Sequence, residues 1–234
     1  MKSTLSTNGT ALSLDRATPA TISLRAARLS LSTAIAFLVL LTALHIIKPE
    51  LDPSWHFISE YAIGDNGWIM TLAFLSLALS CVSLAVALWP HAKGIVGKIG
   101  LALLLISAVG MAIAGMFTTD PITTSRDAMT AGGRLHELGA TLDLTPFAAL
   151  LINWSLIRRN PAWASARRAL LLTAGLPLLG LIMFIGSVSM MLPSDGQFGP
   201  DVLVGWPNRF LVVTYCVWLI TVARQAIRLN GSKS

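Results

Sequence analysis

With 234 residues, 54% of them apolar and only 12% charged, and a mean hydropathy of +0.70, the chain does not have the composition of a soluble domain; such domains carry about 25% charged residues. Its formal charge of +6 does not mark a nucleic-acid binder, because the basic residues flank apolar runs instead of clustering with aromatics on a polar module. The two cysteines, Cys81 and Cys216, each lie inside an apolar run and form no C-x-x-C pair, so neither a disulfide framework nor a thiolate metal site is indicated.

Residues 1–26 are rich in Ser, Thr and Ala and lack an apolar stretch before a cleavage site, so they read as a flexible cytoplasmic tail. The first of six apolar runs, about Ala27 to Ile47, has His45 in its last turn and is stopped by Pro49, which disfavours helical geometry at Lys48. In the loop that follows, a short helix would place His56, Ser59 and Glu60 on one face, and Asp65-Asn66-Gly67 is turn chemistry. The second span runs from Trp68 to Trp89, with Ser76, Ser80 and Ser83 as a stripe suited to close helix contact. A tight turn leads to the third, about Val96 to Phe117, where Ser107, Gly110 and Ala114 give a small-residue packing face. The fourth opens at Arg134 and closes near Arg158-Arg159. The fifth, about Ala169 to Leu192, contains Gly175, Pro177, Gly180 and Gly186, which invites a kink. The sixth begins at Gly205-Trp206-Pro207-Asn208-Arg209 and ends by Arg224, giving a transmembrane domain over 27–226 and a cytoplasmic tail over 227–234.

The fold class expected is all-α: a polytopic membrane protein with six transmembrane helices. With the amino terminus inside, every basic residue except Lys48, Arg126, Arg134 and Arg209 falls on the inner side. That is the positive-inside pattern, and it predicts cytoplasmic termini and a multi-pass protein of the cell (inner) membrane, with the lipid bilayer as its partner. Of the acidic residues only Asp15 is inside; Glu50, Asp52, Glu60, Asp65, Asp120, Asp127, Glu137, Asp143, Asp195 and Asp201 lie at or near the outer side. Solvated loops use such residues freely, but an outward-facing polar site would also produce this bias.

Asp143 is the residue that needs the most explanation. If the fourth span is one helix, His136, Gly139, Ala140 and Asp143 share a face, and Asp143 lies roughly 10 Å deeper than His136. A carboxylate at that depth costs several kcal/mol unless it faces protein, water or a partner, so it marks a functional site by default. His56, Asp120 and His136 are candidate ligands for zinc or another divalent ion, since imidazole and carboxylate suit such ions, although they come from three separate segments. Ser59, Glu60 and Asp143 are the candidate catalytic groups, with Ser59 offering a nucleophile and Glu60 or Asp143 a general base. Arg209 reads as an interfacial anchor or as a clamp for an anionic substrate group. His45 with His136 would suit axial haem ligation, or His45 is interfacial.

His56-Phe57-Ile58-Ser59-Glu60, Gly115 to Asp120, His136 with Ala140, and Asn208-Arg209 resemble the family catalogued as domain of unknown function 998. That resemblance implies a six-helix membrane protein, mostly bacterial, without an established activity. A more distant similarity is to the alkaline-ceramidase and progestin-receptor-like membrane hydrolases, which use a serine, an aspartate and three histidines around zinc in a seven-helix bundle. Ser59, Asp120 and His136 match that pattern, but the last span here has no His-x-x-x-His. The function expected is therefore either metal-dependent hydrolysis of a lipid or lipid-linked substrate, or a non-enzymatic role as a small proton-coupled permease or assembly protein.

Overall fold

The computed structural model describes residues 19–193 and 196–231. The amino-terminal tail through residue 18, Asp195 and residues 232–234 of the carboxy-terminal tail lie outside the described residues. Within them every regular element is helical: α1 Pro19–Ile47, α2 Trp68–Leu88, α3 Gly94–Met116, α4 Ala131–Thr141, α5 Thr145–Arg159, α6 Arg167–Met191 and α7 Gly205–Gly231, with short 3-10 turns between some of them. Six segments are long and apolar enough to cross a membrane, and the fourth, Ala131–Arg159, consists of α4 and α5 together. The chain is a six-span membrane protein. Helix extends past two expected boundaries, since α1 begins at Pro19, ahead of Ala27, and α7 passes Arg224 to reach Gly231.

Helices adjacent in sequence are neighbours in space. Thus α1 packs on α2, α2 on α3, α3 on α4 and α5, α5 on α6, and α6 on α7, which returns to α1 and closes a ring. Inward positions such as Leu77, Leu84, Leu101, Leu104, Ile152 and Trp218 are fully buried, whereas Val39, Leu172, Ile182 and Met190 are exposed on the rim. Helices apolar on every side are what a lipid environment selects. Lipid is as apolar as leucine, so packing and hydrogen bonds hold the helices together, and small residues let them approach. The expected serine stripe does this on α2: Ser80 Oγ donates to Ser30 O at 2.8 Å, tying α2 to α1. At the basic end, the Lys98 ammonium lies 3.7 Å over the ring of Trp89, an interfacial cation–π pair. α6 runs unbroken through Pro177.

The fourth span is where the backbone departs from the expected continuous helix. α4 ends at Thr141, Leu142 to Leu144 are not helical, and α5 restarts at Thr145 with Pro146 in its first turn. Proline inside a helix removes one hydrogen bond and collides with the carbonyl of the preceding turn, but at a helix start it needs no partner. The backbone freed by the break is satisfied from nearby. Leu144 N donates to Ser107 Oγ of α3 at 2.8 Å, and Thr145 N donates to Asp143 Oδ1 at 3.1 Å. Such irregular backbone is tolerated at membrane depth only where it is enclosed by protein or lines a cavity.

Candidate functional site

The end of the bundle opposite its basic face is called the outer end, following the charge rule. Its central anion is Glu60, 2% exposed, in the 3-10 turn Ile58–Ala62. Glu60 Oε2 accepts from Phe57 N at 2.9 Å and pairs with His56 Nδ1 at 3.0 Å, while Oε1 accepts from Ile122 N at 2.9 Å. One carboxylate thus fastens the 3-10 turn to the loop after α3. In the connection between α1 and α2, exposed Asp52 accepts from Ser54 N at 2.8 Å, and that hydrogen bond holds its carboxyl below the ordinary aspartate range.

Arg209, at the start of α7, is 5% exposed. Its Nε donates to His45 Nε2 at 2.9 Å, Nη1 to His56 O at 2.6 Å and Gly205 O at 3.1 Å, and Nη2 to Tyr61 Oη at 3.2 Å. Because His45 Nε2 accepts, Nδ1 carries the proton and donates to Leu41 O at 2.7 Å. Both ring nitrogens of His45 are therefore occupied, which leaves none for a haem. Lys48 is also buried and donates to the carbonyls of Tyr61 and Ile63. These two cations lock the outer turn to α1 and α7 through neutral acceptors.

Asp120 and His136 connect α3 to α4. Thr130 caps α4, its Oγ1 accepting from Gly133 N at 3.0 Å, and Asp120 holds that cap by accepting from Thr130 N at 2.8 Å and Thr130 Oγ1 at 3.0 Å. A Cβ at residue 133 would fall on the Asp120 carboxylate and push it off the Thr130 cap. His136 Nδ1 lies 2.8 Å from Ala114 O and 3.0 Å from Phe117 O, carbonyls at the end of α3 that have no partner within that helix. Among the described residues no three His, Cys, Asp or Glu side chains converge closely enough to hold a metal ion. His56, Asp120 and His136 are each held by a different partner, so as a set they do not fit zinc coordination.

What the outer half does contain is a cavity of about 240 Å³. Phe57, Ile58 and Ser59 of the outer turn line it, with Phe74 of α2, Met111 and Ala114 of α3, and Leu181 and Phe184 of α6. Asn208, Leu211, Val212 and Tyr215 of α7 complete one wall, and Gly139, Ala140, Asp143 and Pro146 bring the broken span to the other. Its polar members are Ser59, Asp143, Asn208 and Tyr215. Asn208 Oδ1 accepts from Ile58 N at 3.2 Å, which fixes the amide orientation. Phe57 packs edge-on against Phe184 and Phe198, with ring centroids 5.8 and 5.9 Å apart. Of the expected site residues, then, Ser59 and Asp143 share the cavity and His56 pairs with Glu60. Arg209, Asp120 and His136 serve the framework around it. Asn208 stands out in the sequence only beside Arg209 at the opening of the last span, and Tyr215 lies in its apolar run, so neither announces itself as a cavity group.

A six-span helical membrane protein with an aspartate on the wall of an intramembrane cavity is the class that fold and site define. The chain belongs to the family described as Protein of unknown function (DUF998), which matches residues 31–225 and so takes in the whole cavity. No curated protein and no solved structure matches it.

Proposed function

We propose that this protein binds a membrane-soluble amphiphile in the outer-half cavity and acts as a small proton-coupled permease, with Asp143 as its titrating group. The observation that carries this reading is the position of Asp143: half-buried on the cavity wall, at a break in a membrane-spanning helix. Discontinuous spans place ligand and ion sites at their breaks, and ionisable groups inside a membrane mark transport paths. The mostly apolar wall suits an alkyl chain, and its few polar groups would orient a head group. A second reading, hydrolysis of a lipid or lipid-linked substrate, draws on Ser59 lining the same cavity. It would proceed without the metal, because the expected ligands are dispersed.

The test is photolabelling of the full-length protein in lipid nanodiscs with a long-chain alcohol carrying a diazirine. Adducts should concentrate on peptides holding Met111, Leu181 and Phe184. Ala140→Trp, which fills the cavity, should reduce them about ten-fold, equivalent to about 1.4 kcal/mol of binding. Adducts spread evenly over lipid-facing positions such as Val39 and Leu172 would remove the ligand site. Reaction of Ser59 with a fluorophosphonate, abolished in Ser59→Ala, would select the hydrolase reading over the permease.

A further inference from the structure

We infer that the ligand of this cavity is a lipophilic cation, an alkyl chain bearing an ammonium head that pairs with Asp143; the inference rests on the cavity being a ligand site, as proposed above. Four observations converge on that charge class.

The Asp143 carboxylate lies on the cavity wall, and the hydrogen bond its Oδ1 accepts comes from a backbone amide, Thr145 N at 3.1 Å. Among the described residues, the ion pairs are His56 with Glu60 and Arg126 with Glu137, so no Lys, Arg or His pairs with Asp143. The two buried cations of the outer end do not line the cavity, and their donors go to Tyr61, Ile63, His45, His56 and Gly205. Lastly, the walls carry Phe57, Phe74, Phe184 and Tyr215, whose ring faces are negative and attract a cation.

These features decide between ligand charges. An anion would meet a carboxylate, with no cationic side chain lining the cavity to offset it. A neutral ligand would leave the carboxylate to be balanced by a proton instead of by the ligand, since a bare charge in an apolar enclosure is costly. A cation removes that cost and gains from the rings. The ammonium would sit between Asp143 and the aromatic wall, beside the Ser59 hydroxyl, and its chain would lie along Met111, Leu181 and Leu211.

The test is competition against the cavity photolabel in nanodiscs. The competitors are a long-chain trimethylammonium, whose charge is fixed, and the alcohol and carboxylate of the same chain length. In the wild type the ammonium should compete about ten-fold better than the alcohol, the scale of a charge-assisted contact, and the carboxylate worse than both. Asp143→Asn keeps an oxygen to accept from Thr145 N and removes only the charge, so it should erase the preference; Asp143→Glu should retain it. Equal competition by ammonium and alcohol in the wild type, a comparison that needs no variant, overturns the cationic assignment and leaves the cavity as a ligand site. Competition by none of the three would take the cavity reading with it. An ammonium preference that persists in Asp143→Asn would overturn the pairing with Asp143.

Discussion

Replacing Glu60 by alanine is expected to destabilise the protein by about 2–5 kcal/mol, because the buried carboxylate joins three donors from two separate loops. Phe57 N and Ile122 N would lose their acceptor, and His56 Nδ1 its anion. The 3-10 turn and the loop after α3 would then separate, and the cavity wall formed by Phe57, Ile58 and Ser59 would move with the turn. Glu60→Gln should fall between wild type and alanine: its amide oxygen can accept from one backbone N–H, but its NH2 then faces the other donor. Thermal unfolding in one detergent checks the order, wild type above glutamine above alanine. An alanine variant as stable as wild type would mean the carboxylate does not hold the outer turn.

Gly139→Leu should separate α4 from α3 and abolish the cavity. A Cβ at residue 139 would lie 2.6 Å from Gly110 O and 2.7 Å from Ala114 N, so the two helices touch backbone to backbone. No rotamer relieves such a contact. Separation would also pull the His136 ring off the Ala114 and Phe117 carbonyls, adding to an over-packing cost of about 1–3 kcal/mol. Even Gly139→Ala should lower the unfolding temperature. Gly175→Ala is the control: the added methyl meets nothing within 4 Å on α6, and helix propensity should raise stability by up to about 1 kcal/mol. If both alanine variants behave alike, the close approach of α3 and α4 is not what holds that wall.

Hydropathy made the six spans legible, because each of the six segments is apolar over about the length of a bilayer. The small-residue face of α3 was legible too: Gly110 receives Gly139, Ala114 lies against α4, and Ser107 serves the broken backbone through Leu144 N. The break itself was not read, although Pro146 signals it, because the apolar run and the spacing from His136 to Asp143 continue through it without a gap. Local pairing survived the passage from sequence to structure: His56 and Glu60, four residues apart, do meet. Long-range pairing did not, since nothing in either segment says that Glu60 takes Ile122 N or that Arg209 takes His45. Most of the polar residues sorted to one end bind the outer turn and the helix ends to each other. The cavity combines side chains from the outer turn and five of the six spans, and no single segment announces it.

Cysteine accessibility tests the central claim, a ligand cavity in the outer half of the bundle, most directly. Cys81 and Cys216, both fully buried, would be replaced by alanine, and Ser59→Cys introduced as the sole thiol on the cavity wall. Ser80→Cys, at the buried α1–α2 contact, is the matched control. The account predicts that a membrane-impermeant thiol reagent added outside sealed cells modifies residue 59 but not residue 80, and that Ala140→Trp slows the reaction. Modification of residue 59 only from the cytoplasmic side, or at the same slow rate as residue 80, would contradict it.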